Sequence, residues 1–427
     1  MLNWNLFAKP LFTLALSVSL IYGQDSLKAK IKNLEALAKQ GKSAVPAIAA
    51  YQRDADPNVR FAAAEALIEA GGVESADALR VSCEDGAPEI QRVSVAGIVN
   101  FYKPGYVKKG IRAKLTAVGD KITRNAEEPV IDSFVQARPE DIAAVRKVLV
   151  NGASREAKLQ AAQALGTLRA KSALTDLYPL LKTKDDAMML ASLRAIEIAG
   201  DKAAASETIF LLRDLNDRIQ ARAISINGVF RNEAALPDLA EVFARGRSAQ
   251  SRAAALEAIG LIGAAESRGL LEQNLDNRDD KLRGSAAEGI GRIGVAELTG
   301  KLEALYQGEG SQRARLGQAF ALVKLGKLEG AEFSPLTYLF NSLNSAVWHD
   351  YAESYLRELS RQDEVRAALR AKVGTATKSE KIGLARILGA EGKAGDREAV
   401  DALAHDRDTA VAEEGIKAAR ALGARLP

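Results

Sequence analysis

One short sequence pattern returns along this chain, most often at intervals of about 31 to 33 residues. The anchors of the pattern are Val59-Arg60, Ile90-Gln91, Ala157-Lys158, Met188-Met189, Ile219-Gln220, Ser251-Arg252, Leu282-Arg283, Ala314-Arg315, Glu380-Lys381 and Val411-Ala412. A repeat of this length is typical of a solenoid, in which each unit buries its apolar face only against its neighbours. The chain is therefore expected to form one long stack of similar units.

Each unit reads as two helices. Residues 280–283 resemble a helix start, and the Ala- and Gly-rich stretch that follows ends at Gly294. A second apolar stretch of about ten residues precedes such a helix, as at residues 236–243 and 298–305. Small residues at three- and four-residue spacing let a neighbouring helix approach closely. The sequence predicts about twelve antiparallel helical hairpins in a continuous stack over residues 24–427.

Residues 56–71 follow the pattern Asp-x-x-Val-Arg-x-x-Ala-x-x-Ala-Leu-x-x-x-Gly. This pattern resembles the HEAT repeat, in particular the short bacterial variety known from phycobilisome lyases, and the resemblance covers most of residues 27–423. It implies an all-α fold, a right-handed α-solenoid of the HEAT-like superhelix type. The landmarks of tetratricopeptide and ankyrin repeats are missing. The resemblance specifies a fold and leaves the activity open.

Composition agrees with a long helical protein. The chain has 427 residues, of which 47% are hydrophobic and 5% aromatic, which is too apolar for a disordered chain. The formal net charge is only +4, from 59 basic and 55 acidic residues. The position six residues beyond each anchor also carries no single sign of charge. Because a nucleic-acid groove needs a sustained basic stripe, a nucleic-acid partner is disfavoured.

Residues 1–23 do not follow the repeat pattern. Residues 11–22 form a charge-free apolar run that is short for a membrane span, and Gly23 suits the last position before a cleavage site. Residues 1–23 are therefore interpreted as a signal peptide, which places the chain in the periplasm or cell envelope. The alternative is an uncleaved inner-membrane anchor formed by residues 6–22.

The sequence offers little for catalysis or for metal and cofactor binding. Cys83 is the only cysteine, and His349 and His405 are the only histidines, in different repeat units. The phosphate-binding, nucleophile-elbow, zinc-protease and dinucleotide motifs are missing from the sequence. We therefore predict no catalytic residue, no metal site and no cofactor.

The pattern lapses first near residues 101–135. A basic segment over residues 103–124 supplies four candidate binding residues, Lys108, Lys109, Arg112 and Lys114. One interpretation is a contact site for lipid headgroups, an envelope polymer or an acidic protein. The other is a degenerate repeat with a long solvated loop.

The second lapse lies near residues 331–360, where six aromatic residues fall between Phe333 and Tyr355. The candidate partner-binding residues here are Tyr338, Trp348, His349, Tyr351 and Tyr355. Aromatic side chains dominate binding hot spots, but they also fill the core of a unit that has lost its Ala-rich pattern. Both interpretations are kept.

These observations together predict a non-catalytic HEAT-repeat scaffold that mediates protein–protein interaction in the bacterial cell envelope. The sequence does not identify the protein partner. Contact with a membrane would require an uncleaved N-terminus or the basic segment over residues 103–124. The resemblance to phycobilisome lyases implies an alternative, a bilin-lyase-like enzyme or enzyme subunit. That alternative expects a cytoplasmic chain with a chromophore pocket.

Overall fold

The computed structural model describes residues 26–107, 129–132, 134–329 and 331–426. Within these ranges every regular element is an α-helix or a 3-10 helix, and no strand is present. The chain divides into two compact units, Met1–Gly200 and Asp201–Pro427. The prediction of an all-α stack of antiparallel helical hairpins is confirmed.

Unit 1 contains four described hairpins after a helix over residues 26–38 (α1). Its further α-helices are α2 Val45–Ala49, α3 Pro57–Ala70, α4 Val73–Ser82, α5 Pro88–Tyr102, α6 Pro139–Asn151, α7 Arg155–Thr167, α8 Leu174–Leu177 and α9 Asp186–Ala199. Its 3-10 helices are Gly41–Ala44, Ala50–Arg53, Lys171–Ala173 and Tyr178–Lys182. The second helix of each hairpin is the longer element, and these are α3, α5, α7 and α9.

Unit 2 contains seven described hairpins. Its α-helices are α10 Asp217–Val229, α11 Leu236–Arg245, α12 Ala249–Ile262, α13 Arg268–Gln273, α14 Asp280–Ile293, α15 Thr299–Gly308, α16 Gln312–Lys324, α17 Pro335–Asn341, α18 His349–Leu359, α19 Asp363–Ala371, α20 Lys378–Glu391, α21 Arg397–Ala404 and α22 Thr409–Arg425. Its 3-10 helices are Lys202–Arg213, Glu233–Ala235, Ala265–Ser267, Ala296–Leu298, Ser342–Asn344 and Ala394–Asp396. Consecutive second helices contact one another from α10 through α22.

Helix α14 begins and ends at the residues that the repeat pattern predicts. Asp279 caps α14 by accepting hydrogen bonds from two backbone N–H groups, and Gly294 ends the helix with φ +83°. A left-handed backbone conformation at this position is strained for any residue with a side chain, and it therefore favours glycine. The hairpin boundaries therefore follow from local chemistry that is visible in the sequence.

Small residues decide how closely second helices pack. In the contact between α14 and α16, a Cβ added at Gly317 would lie 2.8 Å from the carbonyl carbon and 2.9 Å from the Cα of Gly284. A Cβ added at Gly291 would lie 2.6 Å from the Cα of Ala321. Backbone therefore touches backbone across this contact, and no larger side chain fits without separating the helices.

The recurrent arginine of the pattern joins one hairpin to the next. Arg283 donates two hydrogen bonds of 2.9 Å to Glu309 in the following loop and one of 2.8 Å to the carbonyl of Asn277 in its own loop. Arg60 does the same in unit 1 with Asp85 at 2.6 and 3.1 Å and with Asp54 at 2.9 Å. Bidentate arginine–carboxylate pairs are geometrically specific, which explains why the arginine recurs with the repeat.

The first lapse of the pattern does not interrupt the stack. Helix α5 packs directly against α7, although about 50 residues separate them in sequence. The two hairpins on either side are therefore consecutive in the stack. Lys108, Lys109, Arg112 and Lys114 lie outside the described residues, as do residues 1–23.

Candidate partner-binding surface

The second lapse forms a hairpin that takes a regular place in unit 2. Its helices are α17 and α18, and α18 packs between α16 and α20. Phe340 and Tyr355 are 4% and 7% exposed and belong to the hydrophobic core. Tyr338 and Trp348 pack partly buried against the same core. Core filling therefore accounts for Phe340 and Tyr355.

Tyr355 also anchors a buried network of charged groups. Its hydroxyl donates a hydrogen bond to Glu288. Arg292, whose side chain is only 3% exposed, binds Glu288 at 3.1 Å and Glu358 at 3.1 Å, and it covers the Phe320 ring at 4.5 Å. Burial raises the pKa of Tyr355, and the neighbouring Glu288 raises it further. We call these five residues the buried network.

The buried network also binds a charged residue outside it, through Glu358. Burial would raise the pKa of Glu358, but Arg292 and Arg231 outweigh burial and hold that pKa below its usual value. Arg231 reaches Glu358 at 2.6 Å, although the two residues belong to hairpins four positions apart in the stack. The C-terminal ends of the second helices therefore converge on Glu358.

An arginine–aromatic surface lies beside the buried network. The guanidinium of Arg313 stands 4.7 Å over the ring of Tyr351, and the Trp348 and Tyr351 rings are 5.8 Å apart. Tyr351 is 36% exposed and Val347 is 71% exposed. Because Tyr351 and Tyr355 are four residues apart on one helix, the exposed ring and the buried network share a face of α18. We define the arginine–aromatic surface as Arg313, Val347, Trp348 and Tyr351.

A half-buried carboxylate completes this surface. Glu257 lies 3.4 Å from Arg313. Burial raises the pKa of Glu257, and the charge of Glu288 raises it further. The region thus combines one cation, one perturbed carboxylate, one exposed aromatic ring and one partly buried aromatic ring, which suits recognition of a mixed polar and apolar partner.

The other two candidates of this segment are placed differently. His349 uses both ring nitrogens, with Nδ1 2.6 Å from the carbonyl oxygen of Leu343 and Nε2 3.2 Å from Glu353. Tyr338 pairs with Tyr306, with ring centroids 6.0 Å apart. The structure therefore brings Trp348 and Tyr351 together at the surface, Tyr355 beneath them, and Tyr338 into a separate aromatic contact.

A second buried charge cluster lies in unit 1, beside the first lapse. Asp141 is fully buried and accepts hydrogen bonds from Arg80 at 2.8 Å, from Arg138 at 2.9 and 3.1 Å, and from the Tyr102 hydroxyl. Burial would raise the pKa of Asp141, but the hydrogen bonds from Arg138, Tyr102 and Arg80 lower it overall. The cluster joins the end of α5 to the start of α6, on both sides of residues 103–137.

Other chemistry is sparse in the part of the chain that the structure describes. Its His, Cys, Asp and Glu side chains form no group of three or more that could hold a metal ion. Cys83 is buried, and burial raises the pKa of its thiol to about 12. None of the described helices is both long and apolar enough to cross a membrane.

Sequence reasoning missed most of the charged partners in this region. The position six residues beyond each anchor, which shows no shared sign of charge, is occupied in three consecutive units by Glu257, Glu288 and Phe320. The sequence pattern did not identify Arg292 or Arg313, because Glu358 and Glu257, which they bind, lie two hairpins away. The one available signal was Phe320 itself, a large ring where other units carry small or polar residues.

Comparison with known proteins supports the fold. Residues 22–98 match the family model for HEAT repeats, so the stated resemblance is confirmed over that part of the chain. Among curated proteins, none matches the chain.

Several solved structures are similar to this chain. An engineered protein shows 16% identity and a TM-score of 0.39, with coverage of 92% of this chain and 99% of that chain. The complex of CpcE and CpcF of phycocyanin lyase from Nostoc sp. PCC7120 shows 18% identity and a TM-score of 0.32, with coverage of 59% and 88%. A chain from a structure of the interaction between cadherin and beta-catenin shows 10% identity and a TM-score of 0.40, with coverage of 88% and 98%.

Proposed function

We propose that this protein is a non-catalytic scaffold that binds a protein partner through the arginine–aromatic surface of unit 2. The observation that carries the proposal is the stack of Arg313, Tyr351 and Trp348 at the surface beside the buried network. Arginine, tyrosine and tryptophan are the residue types most enriched in binding hot spots. The partner is a protein of unknown identity.

The buried network supports this role because it limits the motion of the surface. Tyr355 and Glu288 are fixed to each other, and Arg292 is held by two carboxylates. Side chains that are already ordered lose less conformational entropy when a partner binds. A rigid aromatic surface on a helical stack is therefore suited to holding another protein.

Site-directed photo-crosslinking in the source organism tests the proposal. A photoreactive phenylalanine analogue at position 351 is expected to capture a discrete protein, and Arg313→Ala is expected to weaken that capture. The matched control places the same analogue at Phe210, which is 49% exposed on the first segment of another hairpin. Equal capture from both positions, or none from 351, would reject the arginine–aromatic surface as the binding site.

We further propose that the chain acts in the cell envelope after removal of residues 1–23. The apolar run that begins at Leu11 supports this location. N-terminal sequencing of the natural protein is expected to begin at Gln24. An unprocessed cytoplasmic chain would reject export and would favour the bilin-lyase-like alternative.

A further inference from the structure

Five cations gather where the second helices of unit 2 converge. They are Arg231, Arg292, Lys324, Arg357 and Arg361, and we call them the basic cluster. They come from four different hairpins, so the cluster depends on the curvature of the stack. Arg231, Arg357 and Arg361 are 41%, 55% and 60% exposed at their side chains, which leaves the cluster open to solvent.

Three carboxylates face these five cations. Glu358 binds Arg231 at 2.6 Å and Arg292 at 3.1 Å, and Arg292 also binds Glu288 at 3.1 Å. Glu391 binds Arg357 and Arg361 at 3.2 Å each. Five positive charges against three negative charges leave an excess of two.

Lys324 is the cation without a carboxylate of its own. Among the described residues it forms no ion pair within 4.0 Å, although it feels the charges of Glu358, Arg231, Arg292 and Arg361. Burial lowers the pKa of its ammonium group, Glu358 opposes this shift, and the three arginines add to it.

The end of α16 does not supply the missing acceptor. The carbonyl of Ala321 accepts from Leu325, that of Leu322 from Lys327, and that of Val323 from Gly326. The carbonyl of Lys324 accepts from Gln362 at 3.3 Å. Each of the last four carbonyls of the helix already accepts a hydrogen bond from another group, and among the described residues the Lys324 ammonium donates none, so it can bind an external acceptor.

We propose that the basic cluster binds a doubly charged oxyanion of the phosphate class, with Lys324 as its central ligand. A phosphate group carries about −1.5 to −2 charges at pH 7, which matches the excess of two. Lysine offers three donors as a compact point charge, and the exposed arginines can each present a donor fork. This site lies at the C-terminal ends of the second helices and does not depend on the partner-binding proposal.

Isothermal titration calorimetry with inorganic phosphate at constant ionic strength tests the site. The intact chain is expected to bind one phosphate saturably, and Lys324→Gln is expected to weaken binding about tenfold or more, since a hydrogen bond to a charged group is lost. The matched control is Lys327→Gln. Lys327 lies three residues away and pairs with Glu303 at 2.6 Å, so its loss is expected to leave phosphate binding unchanged.

A second variant and a second probe complete the test. Arg361→Gln is also expected to weaken phosphate binding, because its side chain is exposed and its loss removes one of the two excess charges. Glycerol phosphate distinguishes the source of the group: tighter binding than inorganic phosphate indicates a phosphate ester, and weaker binding indicates the free ion. No saturable binding to the intact chain, or equal binding by Lys324→Gln and the intact chain, would overturn the proposal.

Discussion

The close contact between α14 and α16 gives the sharpest prediction about stability. We predict that Gly317→Ala destabilises the protein. The added Cβ would lie 2.8 and 2.9 Å from backbone atoms of Gly284, whereas ordinary contacts begin at 3.4 Å. The carbonyl oxygen of Gly284 would lie closer still, and because backbone atoms cannot rotate away, the two helices must separate by more than about 0.6 Å.

The magnitude follows from two opposing terms. Overpacking costs about 3 kcal/mol at the upper end of its usual range, and alanine regains about 1 kcal/mol over glycine in a helix interior. The net loss is about 2 kcal/mol. Gly300→Ala is the matched control, because Gly300 lies in α15 with no atom within 4 Å of an added Cβ. The same substitution there is expected to stabilise by about 0.5 to 1 kcal/mol.

Urea unfolding followed by circular dichroism measures both variants, and hydrogen exchange of α14 and α16 locates the change. Local readout matters because a repeat stack can unfold in parts. If Gly317→Ala were as stable as the parent chain while the control behaved as expected, backbone contact would not set the spacing of these helices.

The remaining predictions concern buried polar groups. Asp141→Asn is expected to cost about 1 to 3 kcal/mol in thermal unfolding, because it removes the buried carboxylate that Arg80 and Arg138 share and leaves them only Asp77. Since the folded pKa of Asp141 lies below its ordinary value of 3.8, its ionic stabilisation is present above that pH and is lost as pH falls further, so acid titration should erase the difference between variant and parent. Tyr355→Phe is expected to cost about 1 to 3 kcal/mol by removing the hydrogen bond to Glu288, whereas Tyr351→Phe at the surface should change stability by less than about 0.5 kcal/mol. Cys83 is expected to resist a disulfide reagent at pH 8 in the native state and to react fully in denaturant, because burial raises the pKa of its thiol.

The hairpin fold could be predicted because its determinants are local and periodic. Caps such as Asp279 and stops such as Gly294 act within a few residues of their own position. The recurring arginine, as at Arg283, also returns at a fixed interval because it binds the next loop of the same repeat. Repetition made each of these signals visible many times.

The first lapse was harder to interpret because spacing alone does not show what packs together. The interval between Ile90 and Ala157 is about twice the repeat length, which fits either a degenerate hairpin or an insertion. The direct contact of α5 with α7 shows that the flanking hairpins are neighbours. Asp141 stabilises the contact between these hairpins by binding residues of α4 and α5 and the residue that precedes α6. A periodic sequence pattern does not predict such contacts.

Periodicity and small residues in the sequence determined the all-α hairpin stack and the position of both lapses. Only the tertiary structure decided that Tyr355 is buried with Arg292 while Tyr351 remains at the surface. It alone also brought Arg231 to Glu358 across four hairpins. The physical reason is that a repeat fixes contacts between adjacent units, whereas contacts between distant units arise from the accumulated curvature of the stack.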